Sequence, residues 1–307
     1  MAEVAVIGEG VIDRFLESSG ARDVIGGSPL NTAVALRRAG VECDWWGRMS
    51  SAAEGEALVE YAAENGVAGV GVLRVDSPAT LVTIELNSQG VPAYGFHLEG
   101  ASDWGWTSEE LQGLSAYKVI QIGSLTSVLE PGSSALLARL RELKASATPP
   151  VITFDPNARP KAVKSVDEAQ QVRSRVSEFL TIADFVKVSD EDLDWLNPGV
   201  AALDSAQIWS TVGPKLVVMT RGSEGAIAFC DGKVVASTPG VKVDVVDTVG
   251  AGDTFMAWLL RSLVEEYAAN IPLDTEAVTA MLTQSAAAAA VTCSRKGCNP
   301  PRREEIL

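Results

Sequence analysis

Residues 246–255 read VDTVGAGDTF, and they stand between a valine-rich segment and a long segment with an apolar stripe. The pattern predicts a strand, a glycine turn and then a helix. Gly250 and Gly252 allow backbone conformations that other residues resist, and they let a ligand approach the main chain. The free N–H groups of the first helical turn then form an anion site.

Asp253 stands at the start of this helix, and two interpretations of it are open. As a cap or a first-turn acid it would only stabilise the helix. However, a carboxylate repels an anion held on the neighbouring amides, so its presence there costs binding unless it acts chemically. Its natural task is to take the proton from an alcohol that attacks a bound phosphate, as the new P–O bond forms.

The composition limits the class of protein. The chain has 307 residues, 47% of them hydrophobic, and a net charge of −15. The acidic balance argues against nucleic-acid binding and against adhesion to anionic membranes. The first residues lack a basic segment with a cleavage pattern, and no apolar run approaches about 20 residues, so we expect neither a secretory signal nor a spanning helix. The four cysteines lack metal-ligand spacing and fit free thiols in a reducing cytosol, which predicts a cytoplasmic protein.

Short apolar runs alternate with amphipathic segments along the chain. The runs are too short for helices and mostly lack alternation, as expected of strands buried on both faces; they lie at 4–8, 118–124, 150–157, 184–189 and 215–222. Helical patterns separate them. This order predicts an α/β fold with a doubly wound, mainly parallel sheet and helices on both faces.

One segment departs from this order. Residues 81–98 alternate apolar and polar side chains on both sides of a Ser-Gln-Gly turn at 88–90, which predicts a hairpin with one apolar face. We expect a single domain over 1–307 with a small β lid built from about 10–20 and 72–104. Three partners for the apolar face remain open: a ligand, the main domain or a second subunit.

The string DTVGAGDTF (247–255) resembles the C-terminal signature of the ribokinase-like (PfkB) carbohydrate kinases, and the likeness extends over nearly the whole chain. It implies that Asp253 is the catalytic base and that the amides of Gly250, Ala251 and Gly252 bind the transferred phosphoryl group. It also implies a monovalent-cation site, commonly occupied by K⁺ in this family, which is formed mostly by backbone near Asp247, Val249, Thr292, Arg295 and Gly297.

The segment GGSPLNTAVALRRAG (26–40) resembles the sugar-binding motif of the same family. Taken alone, it predicts a helix capped by Ser28. The resemblance implies that Gly26 and Gly27 let the sugar touch the backbone and that Asn31 bonds its hydroxyls. It implies further substrate contacts from Asp13, Phe96, Asn157 and Arg159, the last two near the phosphates or the sugar. Phe96 has hairpin packing as its alternative role, and Asp103 either bonds hydroxyls or lies exposed.

The resemblance also implies ATP and Mg²⁺ as cofactors. The nucleotide side is expected at Lys187, Ser189, Thr220, Gly222, Gly225 and Asn299. Family members commonly carry an Asn-x-x-Glu that organises magnesium and its waters, whereas this chain has Ser189 and Asp192. The acidic side chain is therefore shorter, and the role of Asp192 in magnesium binding is left open.

The motifs GGSPLN, DPNARP and FHLEGASDW look most like those of bacterial fructokinases. The expected reaction is phosphorylation of fructose by ATP to fructose 6-phosphate. Ribokinase and 2-keto-3-deoxygluconate kinase are the near alternatives, because one altered hydroxyl contact can redirect specificity. A sugar-binding regulator without catalysis and a nicotinamide-dependent dehydrogenase are the alternatives of other classes. GEGVID lacks the third glycine that a dehydrogenase fingerprint needs, and Asp253 argues against a regulator. The expected partners are a small sugar and ATP, with a homodimer through the lid left open.

Overall fold

The structure is a computed structural model that describes residues 2–17, 20–86, 92–268 and 274–307. In chain order its strands are β1 (Val4–Ile7), β2 (Val11–Glu17), β3 (Gly20–Gly26), β4 (Cys43–Trp46), β5 (Arg48–Ser50), β6 (Leu73–Val75), β7 (Leu81–Leu86), β8 (Pro92–His97), β9 (Val119–Gly123), β10 (Val151–Asp155), β11 (Phe185–Ser189), β12 (Leu216–Thr220), β13 (Ala226–Cys230) and β14 (Lys233–Thr238). Its helices are α1 (Ser28–Arg38), α2 (Ala53–Glu64), α3 (Gly132–Lys144), α4 (Val166–Leu180), α5 (Asp190–Leu196), α6 (Ala202–Trp209), α7 (Ala251–Ala268) and α8 (Thr275–Cys293).

The central sheet has the strand order β14-β13-β12-β11-β10-β9-β1-β4. Neighbouring strands from β12 to β4 pair in parallel, whereas β13 and β14 form an antiparallel edge. The parallel strands are buried almost along their whole length, because helices cover both faces of the sheet. The predicted mainly parallel α/β fold is therefore confirmed.

The helices form one layer on each face of this sheet. One core contains side chains of α1, α2, α7 and α8, among them Leu30, Leu58, Met256 and Leu282. The other contains side chains of α3 to α6, among them Leu136, Phe179, Leu193 and Ala206. Among the described ranges, no helix is both long enough and apolar enough to cross a membrane.

A second sheet has the order β3-β2-β7-β8. The predicted hairpin forms its β7–β8 pair, with Val82 opposite Phe96, while the predicted turn at 88–90 lies outside the described residues. Val82, Ile84 and Phe96 make one face apolar. β2 runs parallel to β7 with Asp13 beside Val82, so a carboxylate shares this apolar face.

The valine-rich segment 241–246 is a loop, so its prediction as a strand was wrong. Val245 and Val246 are about two-thirds exposed, and the N–H of Val246 bonds the carbonyl of Cys293 rather than another strand. β-branched residues favour strands only where neighbouring side chains pack against them, and here a cavity lies on one side of the loop.

Candidate active site

Asp253 lies in the first turn of α7, and its side chain is buried. Both carboxylate oxygens accept hydrogen bonds from α1: Ser28 Oγ donates to Oδ1 at 2.6 Å, and Asn31 Nδ2 donates to Oδ2 at 2.8 Å. Each oxygen keeps a lone pair for a further donor. No backbone amide of the described residues donates to this carboxylate, so Asp253 does not act as a helix cap.

The turn before Asp253 requires glycine at one position and leaves backbone donors free. Gly250 has a φ of +77°, and a Cβ on it would lie 2.2 Å from Cys298 Sγ. Within the described chain, the N–H groups of Gly250 and Gly252 bond no acceptor, while the Ala251 N–H lies 3.3 Å from the Thr248 carbonyl. Free amides at a helix N-terminus bind anions.

The start of α1 differs from its prediction. Gly27, with a φ of +103°, occupies the N-cap position, and Ser28 makes no capping hydrogen bond. The predicted Ser28 cap is therefore wrong. A Cβ on Gly27 would lie 2.6 Å from the Glu9 carbonyl, so only glycine allows this close contact. The Ser28 hydroxyl instead donates to the Asp253 carboxylate.

Two further polar groups lie near the start of α1. A Cβ on Gly26 would lie 3.0 Å from Asp13 Oδ2. Burial raises the pKa of Asp13 to about 6, and the positive charge of Arg159 partly offsets this rise. Asn31 Oδ1 is buried and has no hydrogen-bond partner among the described residues. Unpaired buried acceptors of this kind favour a ligand that brings hydroxyl donors.

The loop after β10 contacts the second sheet. Asn157 has a φ of +40° and accepts a hydrogen bond from Arg159 Nη1. Lys161 Nζ lies 4.2 Å from the centre of the Tyr94 ring. The Tyr94 ring stacks on Phe96, with 6.5 Å between centroids. Phe96 thus takes part in packing on the second sheet, and the loop closes against that sheet through Lys161.

Lys187 in the middle of β11 and Asp155 at the end of the neighbouring strand β10 form a buried ion pair, with 2.8 Å between Nζ and Oδ2. Burial raises the pKa of Asp155 to about 6, and the positive charge of Lys187 works against this rise. Asp155 Oδ1 has no partner among the described residues. A Cβ on Gly252 would lie 3.2 Å from Lys187 Nζ, which puts an ammonium group beside the free amides. Sequence reasoning missed Asp155, although its place at a strand end was a signal.

A cavity of about 600 Å³ opens beside the glycine turn. Three predicted nucleotide residues, Thr220, Gly222 and Gly225, line it together with Ala251 and Gly252. Its remaining walls include Gly240, Val241, Val243, Phe255, Ala286 and Ala290. The alanine run of α8 forms part of this wall, and its small side chains leave space beside the helix.

Other predicted residues lie away from this cavity lining. Ser189 and Asp192 form a capping box at the start of α5, and Asp192 Oδ1 also accepts the Ala158 N–H at 3.0 Å. The carboxylate thus ties the loop after β10 to α5. Asn299 Oδ1 accepts a hydrogen bond from Arg38 at the end of α1.

The residues expected around a monovalent cation form one connected set. Asp247 accepts the Val249 N–H at 3.0 Å and the Gly297 N–H at 2.9 Å. The Thr292 carbonyl accepts the Arg295 N–H. No group of three or more His, Cys, Asp or Glu side chains suited to a metal ion occurs in the part of the chain that the structure describes.

Comparison with known proteins gives concordant results. The family model described as pfkB family carbohydrate kinase matches residues 1–305. A fructokinase from Rhizobium leguminosarum bv. trifolii is 33% identical over 262 residues, which is 83% of this chain and 78% of that protein. Fructokinase-2 from Zea mays is 32% identical over 289 residues, which is 92% of this chain and 84% of that protein.

Solved structures agree at the level of the fold. The crystal structure of fructokinase with bound ATP from Xylella fastidiosa has a TM-score of 0.89 at 25% identity, and the match covers 100% of this chain and 98% of that one. The fructokinase from Vibrio cholerae O395 in a form that binds fructose, ADP and calcium ion has a TM-score of 0.79 at 21% identity, with 97% and 94% covered.

Proposed function

The chain belongs to the pfkB family of carbohydrate kinases, and from this premise we propose that it transfers the γ-phosphate of ATP to the 6-hydroxyl of fructose. The observation that carries the proposal is the setting of Asp253. Its buried carboxylate is oriented by Ser28 and Asn31 of the sugar-binding motif, and it adjoins the free amides of Gly250 and Gly252.

Asp253 acts as the general base in this proposal. An alcohol is far less acidic than an aspartate, so the proton moves to Asp253 while the hydroxyl oxygen bonds phosphorus and ADP departs. Such a base contributes about 10²- to 10⁴-fold to the rate. The amides of residues 250–252 and the ammonium of Lys187 stabilise the negative charge on the phosphoryl oxygens.

The sugar lies between the start of α1 and the second sheet. Asp13 and Asn31 Oδ1 accept hydrogen bonds from its hydroxyls. Gly26 and Gly27 let it approach the main chain, and Asn157 and Arg159 close the site from the loop after β10. The second sheet serves as a lid over the bound sugar, and its closure excludes water as a competing acceptor. Phe96 on the apolar face of the lid covers the sugar.

ATP occupies the cavity of about 600 Å³, with its phosphates toward the glycine turn. Mg²⁺ would be held mainly by the phosphates and by water, as is usual for this ion, and Asp192 and Asp155 are the carboxylates that would bind these waters. The unpartnered Oδ1 of Asp155 fits such a role. K⁺ binds mostly to backbone around Asp247, Val249, Thr292, Arg295 and Gly297, where it neutralises charge beside the anion site.

The remaining features concern assembly and location. The lid carries half-exposed apolar side chains, such as Tyr94 at 43% exposure, and a second copy of the chain could pair through them. The cytoplasm is the location that fits an ATP-dependent reaction and the four free cysteines. Ribose and 2-keto-3-deoxygluconate remain the alternative substrates, and measured kcat/KM values for the three sugars decide among them.

The test is an ADP-release assay with fructose on wild type and on Asp253→Asn. We expect kcat to fall at least about 10²-fold, because the amide cannot accept the proton, while fructose binding by calorimetry changes little. Asp274→Asn is the matched control. Asp274 is also a helix-start aspartate, but it only caps α8, so its variant should keep kcat. Activity retained in Asp253→Asn would contradict the assignment of Asp253 as the base.

A further inference from the structure

The Ser28 hydroxyl is committed to one partner. Gly27 takes the N-cap position of α1, so no amide of that helix uses the Ser28 oxygen. The side chain is buried, and its hydrogen bond among the described residues goes to Asp253 Oδ1 at 2.6 Å. Distances of about 2.5 to 2.7 Å are typical of a hydroxyl that donates to a charged carboxylate.

Ser28 and Asn31 hold Asp253 together. They lie three residues apart on α1 and so share one face of the helix. One donates to Oδ1 and the other to Oδ2, which restricts rotation of the carboxylate, a torsion that is broad in an unrestrained aspartate. Asn31 is also expected to bond the sugar, so its amide both holds Asp253 and contacts the substrate. The Ser28 hydroxyl only holds Asp253.

A competing partner lies near Asp253. The Lys187 ammonium acts electrostatically on this carboxylate, and it lies beside Gly252. A carboxylate free to rotate would turn toward this charge. The resulting ion pair would withdraw the base from the sugar and the cation from the phosphate.

We propose that Ser28 is a positioning residue, whose hydroxyl holds the Asp253 carboxylate toward the substrate hydroxyl and away from Lys187. The proposal rests on the role of Asp253 as base. Ser28 acts through Asp253, so its loss should slow the phosphoryl-transfer step and leave sugar binding in place.

The test compares Ser28→Ala, Ser28→Thr and wild type by steady-state kinetics with fructose and by calorimetry of fructose binding. For Ser28→Ala we expect kcat to fall about tenfold, in line with the loss of one hydrogen bond to a charged group, and both KM and the fructose Kd to stay within about twofold. Ser28→Thr keeps the hydroxyl and should hold kcat within about threefold of wild type.

Ser133→Ala is the matched control. Ser133 is another buried serine in the first turn of a helix, with its hydroxyl bonded to the Ser127 carbonyl at 2.7 Å, and its variant should keep kcat. Thermal unfolding of each variant separates folding from kinetics. Three results would overturn the proposal: an unchanged kcat in Ser28→Ala, a loss confined to KM, or a Thr variant as slow as the Ala variant.

The Asp253 and Ser28 variants together distinguish a wrong base assignment from a wrong role for Ser28. If Asp253→Asn keeps its activity, the proposed function fails whatever the Ser28 variants do. If Asp253→Asn is inactive and Ser28→Ala has wild-type kcat, only the role of Ser28 is rejected.

Discussion

Asp13 has to carry its charge where burial opposes it. Its carboxylate is half-buried on β2, and its pKa is raised to about 6, with the Arg159 charge as a partial offset. A Cβ on Gly26 would lie 3.0 Å from Asp13 Oδ2, so a larger residue at position 26 would crowd this carboxylate. A proposed sugar contact therefore titrates close to the pH of a cell.

We predict that fructose affinity falls on acidification. Above pH 6 Asp13 is ionised and accepts hydrogen bonds from the sugar hydroxyls, whereas below pH 6 it gains a proton and loses these charge-assisted bonds. The fructose Kd should rise about tenfold between pH 7 and pH 5, as one protonation with this pKa requires. Calorimetry without nucleotide measures this effect apart from Asp253 chemistry.

Two variants control the measurement. Asp13→Asn should bind fructose weakly with a flat pH profile. Asp23→Asn alters a neighbouring lid carboxylate whose pKa is lowered by its hydrogen bond to Arg14, so its profile should follow wild type. A wild-type Kd that does not change over this range would contradict the role of Asp13.

Among single residues, the sequence predicted residue types better than contacts. It singled out Asn31 and Asp253, which lie 222 positions apart and are hydrogen-bonded in the structure. It assigned the Ser28 hydroxyl to a helix cap, because a serine before a helical pattern usually has that role. The choice between a cap and a carboxylate depends on which atoms the fold brings near, and a local pattern does not contain that information.

Three chain segments that flank the second sheet meet at Asp103. Its buried carboxylate accepts hydrogen bonds from the Gly10 N–H before β2, from Thr80 Oγ1 before β7 and from Ser102 Oγ after β8. Two alternatives were expected for Asp103: a bond to the sugar or an exposed position. The exposed position was wrong, since Asp103 is 1% exposed. Burial raises its pKa to about 7, and the Thr80 bond opposes the rise.

We predict that Asp103 makes the stability of the chain depend on pH. Its pKa is above the ordinary 3.8 in the folded state, so the folded chain binds a proton more tightly than the unfolded one. The stability gained from this proton is complete below about pH 4 and is lost as the pH rises through about 7. Thermal unfolding from pH 5 to pH 8 should therefore show a falling Tm.

The Asp103→Asn variant tests that assignment. An asparagine cannot titrate, so its Tm should change less with pH over the same interval. Parallel Tm profiles for the two proteins would show that another group is responsible.

At the level of strands and helices, buried runs were easier to predict than edges. The five apolar runs became β1, β9, β10, β11 and β12, because a parallel strand covered on both faces must be apolar throughout. The edge strands β13 and β14 lack this signature. The valines of 241–246 misled the prediction, since their exposed positions depend on a cavity that no local pattern reveals.

The whole molecule carries a net negative charge, and its substrate MgATP is also an anion. A net charge of −15 repels MgATP on approach, and the local cation Lys187 is buried. Added salt screens this repulsion over about 10 Å at 0.1 M. We predict that KM for MgATP falls as tetramethylammonium chloride is raised from low concentration to about 0.1 M.

Potassium chloride at the same ionic strength provides the comparison. Both salts screen equally, so an additional rise in kcat with potassium chloride would report binding at the site near Asp247. A KM for MgATP that rises with tetramethylammonium chloride would contradict a repulsive field, and identical kcat values in the two salts would contradict a role for K⁺.

The contact between α1 and α7 also has a consequence for protein synthesis. The ribosome makes Ser28 and Asn31 long before it makes Asp253. At roughly 5 to 20 residues per second, the 222 codons from Asn31 to Asp253 take on the order of 10 to 45 s. A nascent chain therefore contains the α1 residues that hold the Asp253 carboxylate before it contains Asp253 itself. The proposed catalysis starts only after Asp253 has been made and has packed against α1.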